Sequence, residues 1–221
     1  MTSEFLVPLA CAAFLACLTP SGATEAVRVV DGDTIRIGRA TVRLHGIDAP
    51  EAGQSCAAAN GGRWSCGKAA VRTLESLVKG RSVTCDDRGS DAYGRTLAVC
   101  VAGGKEINRL MVDSGAAWAF RRYSDDYAAA EDRARAARRG IWQAPTETAW
   151  DYRAHRWDTA AGAAPANCPI KGNVSDKGRI YHAPWSPWYE KTKVSVDKGE
   201  RWFCSEDEAI AAGWRAPDWG G

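Results

Sequence analysis

The chain has 221 residues, of which 25% are charged and 45% hydrophobic, with a formal net charge of +2 at pH 7. That length holds one domain of ordinary size and a smaller unit, and the composition excludes a disordered, collagenous or coiled-coil protein. The charge is too small for a scaffold that coats nucleic acid, and the apolar stretch nearest to membrane length is N-terminal, which excludes a multi-span membrane protein.

That stretch is the first element. Phe5 to Leu18 is apolar but short for a bilayer span, and Ser21-Gly22-Ala23 offers the small residues a signal peptidase reads. A signal peptide over residues 1–23 is predicted, cleaved after Ala23, giving a secreted or periplasmic protein with no membrane span. Leu15-Ala16-Cys17 is also a loose lipobox, so a lipoprotein is the alternative. Of eight cysteines, Cys11 and Cys17 leave with the peptide and six remain. An even number in an exported chain reads as disulfides. Their local grouping predicts Cys56–Cys66, Cys85–Cys100 and Cys168–Cys204. Zinc competes poorly, because no Cys-x-x-Cys occurs and the histidines are scattered.

Residues 24–150 alternate strand-like and helix-like patterns. Ala26–Val30, Thr34–Ile37 and Thr41–Ile47 are short β-rich runs joined by Asp31-Gly32-Asp33 and Gly38-Arg39. Lys68–Lys79 carries apolar residues at helical spacing. Ser82–Cys85 and Thr96–Val101 read as a hairpin. Ile107–Ser114 and Tyr127–Arg139 read as helices that stop at Gly115 and Gly140. A meander of strands followed by helices predicts an α+β fold with a small barrel. Residues 151–167 read as a linker, with about one turn of helix around Trp150–Trp157. Residues 168–221 form a separate small module, in which Ser205 and Glu208 make a capping box for a last helix.

Four clusters in the first domain carry chemistry. Asp31-Gly32-Asp33-Thr34 closes a strand, Arg43 interrupts an apolar one, Asp48-Ala49-Pro50-Glu51 follows it, and Tyr93-Gly94-Arg95 opens a later one. Asp33 and Asp48 at adjacent strand ends offer hard oxygen ligands for Ca²⁺ or Mg²⁺. Arg43 and Arg95 offer planar forks that match phosphate oxygens. Glu51 can accept a proton from water. Cations and a base are the parts a phosphodiester attack needs. Taken singly, each cluster can equally be a turn, a solvent-facing arginine or a capped loop.

Together, in this order, they resemble the staphylococcal nuclease (thermonuclease) family. The resemblance rests on Val30-Asp31-Gly32-Asp33-Thr34, Val42-Arg43-Leu44-His45-Gly46-Ile47-Asp48-Ala49-Pro50-Glu51 and Asp91-Ala92-Tyr93-Gly94-Arg95, and covers roughly residues 26–143. It implies a five-stranded OB-fold β-barrel with three helices, acting as a monomeric Ca²⁺-dependent nuclease on DNA and RNA. By the same resemblance Asp33, Asp48 and the Ala49 carbonyl bind Ca²⁺, with Asp31 as a nearby carboxylate. Glu51 is the general base or orients the water, and Arg43 and Arg95 grip the phosphate. Tyr93 and Tyr123 are candidates for substrate contact. Ala92 stands where a phosphate-binding lysine is usual, which weakens substrate affinity. The alternative is a non-catalytic OB-fold protein that binds nucleic acid or the cell envelope.

The C-terminal module is similar to one appended to some exported bacterial nucleases, and to a treble-clef-like metal-binding module that uses four cysteines. With Cys168 and Cys204 alone, a disulfide-stapled unit is expected, with Trp185, Trp188 and Tyr189 either in its core or on a binding face. The basic helix with Arg133, Arg135, Arg138 and Arg139 reads as a solvated face paired with Glu131 and Asp132, and Arg121 and Arg122 as lying near the cleft.

Overall fold

A computed structural model describes residues 26–91 and 94–217. The predicted signal peptide and Tyr93 lie outside the described residues. Among the described residues no helix is long and apolar enough to cross a membrane.

The elements run β1 (Val27–Asp31), β2 (Thr34–Ile37), β3 (Ala40–Leu44), β4 (Ile47–Asp48), β5 (Cys56–Ala57), β6 (Arg63–Trp64), α1 (Cys66–Val78), β7 (Val83–Ser90), β8 (Thr96–Ala102), β9 (Lys105–Glu106), α2 (Ile107–Asp113), β10 (Trp118–Ala119), α3 (Ala128–Ala136), α4 (Ala149–Ala161), β11 (Ile170–Ser175), β12 (Gly178–His182), β13 (Arg201–Phe203) and α5 (Glu206–Ala211). The barrel sheet has the order β1-β2-β3-β8-β7, with β9 on β8. β1, β2 and β3 form an antiparallel meander, β3 pairs parallel with β8, and β8 returns antiparallel to β7. This is the OB-fold, with α1, α2 and α3 packed around it.

Strand alternation sends Val42 and Leu44 of β3 into the core, with Val29, Ile35, Ala98 and Cys100. Helix α1 adds Ala70, Val71, Leu74 and Val78 at spacings of three and four. Its start at Cys66 lies two residues before the expected boundary, because the Cys56–Cys66 disulfide and the Gln54 carbonyl anchor that end. Buried Asn108 of α2 accepts from the Cys100 N–H at 3.0 Å and donates to the carbonyls of His45 and Ala98 at 3.0 and 3.1 Å. It thereby fixes the loop after β3 against β8.

All three disulfides form as expected: Cys56–Cys66, Cys85–Cys100 and Cys168–Cys204. The second joins directly opposed residues of β7 and β8. The third ties the residues before β11 to those after β13, closing a small sheet of order β12-β11-β13. Ile170, Tyr181, Phe203, Ala209 and Trp214 are its core. Ser205 caps α5 by accepting from the Glu208 N–H at 3.1 Å, while the Glu208 carboxylate accepts from the Cys204 N–H at 2.7 Å.

The segment read as a linker differs from expectation. Most of residues 151–167 belong to α4, a helix of thirteen residues rather than one turn. Thr148 caps it, accepting from the Asp151 N–H and donating to its carboxylate at 2.6 Å. Ala149 is fully buried, and Trp150 packs on Trp118 and Phe120 with ring centroids 6.0 and 5.6 Å apart. The inward face of this helix carries Arg153 and Arg156 beside Tyr152 and Trp157, which is why it shows no aliphatic stripe.

Candidate active site

The turn between β1 and β2 has no room for a side chain at Gly32, where a Cβ would come within 2.8 Å of the Ala49 Cβ. That close approach lays Asp33 against the loop after β4. Asp33 Oδ1 accepts from the Thr34 hydroxyl at 2.9 Å, and Oδ2 from the Ala49 N–H at 3.2 Å. Arg43 leaves β3 on the face opposite Val42 and Leu44. Its guanidinium donates to Asp33 Oδ1 at 3.1 Å and to Asp48 Oδ1 at 2.9 Å, and lies 2.9 Å from Asp33 Oδ2. An arginine in an apolar strand needs an anionic partner when it points inward, and here it has two.

Asp48 ends β4, opposite Trp118 of β10, and is fully buried. Glu51 follows on a turn held by buried Gln54, whose side-chain oxygen accepts from the Glu51 N–H at 3.1 Å. Gly67 lets α1 pass over this turn, because a Cβ there would overlap the Glu51 carbonyl. Arg95 is aimed by Asp91, which accepts from its backbone N–H at 2.9 Å and from Nε at 2.6 Å. Arg43, Arg95, Asp31 and Glu51 line one cleft of about 1170 Å³.

The charges are tuned by this crowding. Burial opposes ionisation of Asp33, but Arg43 and Arg95 outweigh it and hold its carboxyl below the usual range. Burial pushes Asp31 well above that range, aided by the negative fields of Glu51 and Asp33. Burial also raises Glu51, against the pull of Arg153. The negative fields of Asp31 and Glu51 thus reinforce burial in favouring a proton on this cluster.

Arg153 was not among the sequence candidates. It projects from α4 into the site, where Nη1 donates to Asp48 Oδ1 at 3.1 Å and to Glu51 Oε1 at 2.6 Å, and Nη2 to Asp48 Oδ2 at 2.7 Å. The signals were the Thr148–Asp151 capping pair and the spacing of Arg153, Arg156 and Trp157 on one helical face. Arg156 donates to the Pro184 carbonyl at 3.0 Å and to Glu190 at 2.6 Å, while Trp157 packs on the C-terminal core. The second wall of the cleft is therefore C-terminal, with Trp185, Trp188, Tyr181 and Glu206.

The remaining candidates divide. Tyr123 is 71% exposed at the cleft, packed on Phe120. Arg121, expected near the cleft, is instead tied to α3, pairing with Glu131 at 2.9 Å and Asp132 at 2.8 Å. Glu131 is buried rather than solvated, because it also accepts from the Ala119 N–H. Tyr189 belongs to the module's buried set, whereas Trp185 and Trp188 are partly exposed on the cleft. His182 is buried beside Trp188, with Nδ1 3.3 Å from the Ser186 hydroxyl.

Asp33 and Asp48 are buried hard-oxygen donors whose charge requires a cation, and in this arrangement two guanidiniums supply it. The donor chemistry fits a divalent ion of the Ca²⁺ type, provided that Arg153 yields its place on Asp48 and Arg43 opens a position on Asp33.

Residues 41–144 match the family described as Staphylococcal nuclease homologue, and residues 153–216 the one described as ArfC. The chain is 37% identical over 145 residues to the succinoglycan biosynthesis protein ExoI of Rhizobium meliloti (strain 1021), covering 62% of this chain and 75% of that protein. It is 38% identical over 123 residues to an uncharacterized endonuclease of Escherichia coli O157:H7, covering 52% and 74%. It is 37% identical over 147 residues to a micrococcal nuclease of Shigella flexneri, covering 58% and 79%.

Proposed function

The chain belongs to the staphylococcal nuclease family, and we propose that it is a Ca²⁺-dependent nuclease that hydrolyses phosphodiester bonds of DNA and RNA. The observation that carries this reading is the shared cleft. Arg43, Arg95 and Glu51 line it, and the buried Asp33 and Asp48 stand directly behind it, bound to the Arg43 guanidinium.

In this reading Arg43 and Arg95 grip the scissile phosphate and balance the charge that grows on its oxygens. Glu51 takes a proton from the attacking water as the water oxygen bonds to phosphorus. The P–O5′ bond breaks, leaving a 3′-phosphate and a 5′-oxygen that takes a proton from solvent. Asp33, Asp48 and the Ala49 carbonyl would hold Ca²⁺, which supplies positive charge to the phosphate and acidity to water. Asp31 lies in the negative field of Glu51, and that clustered charge favours proton uptake in the site. Tyr93 and Tyr123 contact the substrate. Three disulfides support a secreted or periplasmic setting for the chain from residue 24 onward, with the nuclease domain at 24–150 and the module at 168–221.

The test is cleavage of single-stranded DNA by the purified protein with millimolar Ca²⁺, with Mg²⁺ and with chelator. Cleavage is expected with Ca²⁺ alone, and lost in Arg43→Ala and Glu51→Gln. General-base removal lowers rates by about 10²–10⁴. Activity in Glu51→Gln equal to the parent would sink the assigned mechanism. Absence of cleavage by folded protein under every ion would favour a binding role.

A further inference from the structure

Arg153 occupies the Asp48 oxygens that the proposed cation needs. Asp48 Oδ1 accepts from both Arg43 and Arg153, and Oδ2 accepts from Arg153. One lone-pair direction of Oδ2 remains, and a divalent ion there would lie against the guanidinium. Arg153 also holds Glu51 Oε1 at 2.6 Å. The Asp48 side chain is 1% exposed, so it cannot turn elsewhere to meet an ion. The Arg153 side chain is 24% exposed and lines the open cleft, so it can leave.

We propose that Arg153 sets the cation affinity of the site by competing with the divalent ion for Asp48, while holding Glu51 in the same grip. The inference rests on the reading that Asp33 and Asp48 hold that ion. Without the ion, Arg153 is the counter-charge that allows buried carboxylates to ionise together. When the ion enters, Arg153 gives up Asp48, and the same movement releases Glu51 Oε1 toward water. Helix α4 stays anchored meanwhile. Its first turn is fixed by Ala149 and Trp150 on the barrel, and its next turns by Arg156 and Trp157 on the C-terminal module. Within α4 only the Arg153 side chain needs to move, and its helix keeps it within reach. Arg153 is thus a positioning residue. It acts on the reaction through Asp48 and Glu51, and it comes from outside the barrel that carries them.

Competition differs from a plain structural clamp in one measurable way. A clamp changes stability and leaves ion affinity alone, whereas a competitor changes both, in opposite directions. The experiment is calorimetric titration of Ca²⁺, without nucleic acid, into the purified protein and into Arg153→Ala, Arg153→Lys and Asp48→Asn. Arg153→Ala should bind Ca²⁺ about tenfold tighter or more. Arg153→Lys, a point charge that cannot fork across both carboxylates, should fall between. In chelator the Ala variant should melt below the parent, and saturating Ca²⁺ should narrow the gap. Parent affinity in Arg153→Ala, with binding lost in Asp48→Asn, overturns the competition and leaves the site standing. Parent affinity in Asp48→Asn overturns the site reading itself. Should Arg153→Ala fail to fold, parent affinity in Arg153→Lys overturns the proposal.

Discussion

Replacing Arg43 with alanine strips the site of its central positive charge, and the consequence can be worked from the contacts. The Arg43 side chain is 19% exposed, and those of its partners Asp33 and Asp48 are 6% and 1% exposed. Neither carboxylate can turn to water. Removing one partner of a buried pair costs about 3–5 kcal/mol, because the other charge is left uncompensated. Asp33 keeps the Thr34 hydroxyl and the Ala49 N–H, and Asp48 keeps Arg153. The loss therefore falls at the lower end, about 3 kcal/mol. For a protein of this size that is a fall in thermal midpoint of roughly 6–12 °C. Calorimetric melts at pH 7 in chelator measure it. Adding Asp33→Asn to Arg43→Ala should recover about half of the loss, since it removes a charge that has lost its partner. A fall of less than about 2 °C in the single variant, or no recovery in the double, would refute the claim that these buried charges are interdependent.

Three other perturbations have defined outcomes. Gly67→Ala places a methyl group on the Glu51 carbonyl, so α1 and the Glu51 turn must separate; kcat should fall by about a hundredfold, and unchanged kinetics would show that the turn does not position Glu51. Burial, with the Lys171 charge adding to it, lowers His182 to about 4. The unfolded chain takes up that proton near pH 6.5, so the stability is full above 6.5 and falls by up to roughly 3 kcal/mol as pH drops toward 4. Urea melts should show this slope in the parent and not in His182→Gln; parallel curves count against it. Replacing Cys85 and Cys100 by serine opens a loop whose ends are 15 residues apart, which should cost about 3 kcal/mol in the same melts; a change under about 1 kcal/mol would mean that the β7–β8 ladder alone holds these strands.

The barrel was legible because its determinants are local. Val42-Arg43-Leu44 alternates as a strand must and Asp31-Gly32-Asp33 marks a turn, and in the C-terminal module Ser205 with Glu208 writes a helix start into four residues. The disulfides were legible for a similar reason, since each closes a short segment in an oxidised chain. The extent of α4 was not. Its sequence, Ala-Trp-Asp-Tyr-Arg-Ala-His-Arg-Trp-Asp-Thr-Ala-Ala, lacks the aliphatic stripe by which a buried helical face is recognised. The helix is held by aromatic packing and arginine hydrogen bonds at its two ends, and both depend on where distant segments fold.

The site shows the same division more sharply. Asp33, Arg43, Asp48 and Glu51 lie within a short stretch of sequence, so the likeness of that stretch to a known pattern carried all of them at once. Arg153 lies 105 residues from Asp48 and 102 from Glu51. No local rule marks it among the many arginines of the chain, because what distinguishes it is the pair of carboxylates that its helix happens to reach. Those carboxylates, read alone, implied a cation of some kind. The barrel supplies one in Arg43, helix α4 supplies another in Arg153, and a metal ion is a third candidate for the same oxygens. Three positive charges cannot share Asp48 at full strength, so a helix outside the barrel bears on the carboxylates of the barrel through charge as well as through packing. Helix α4 is therefore part of the site by construction. Its removal should alter ion affinity even in a barrel that remains folded.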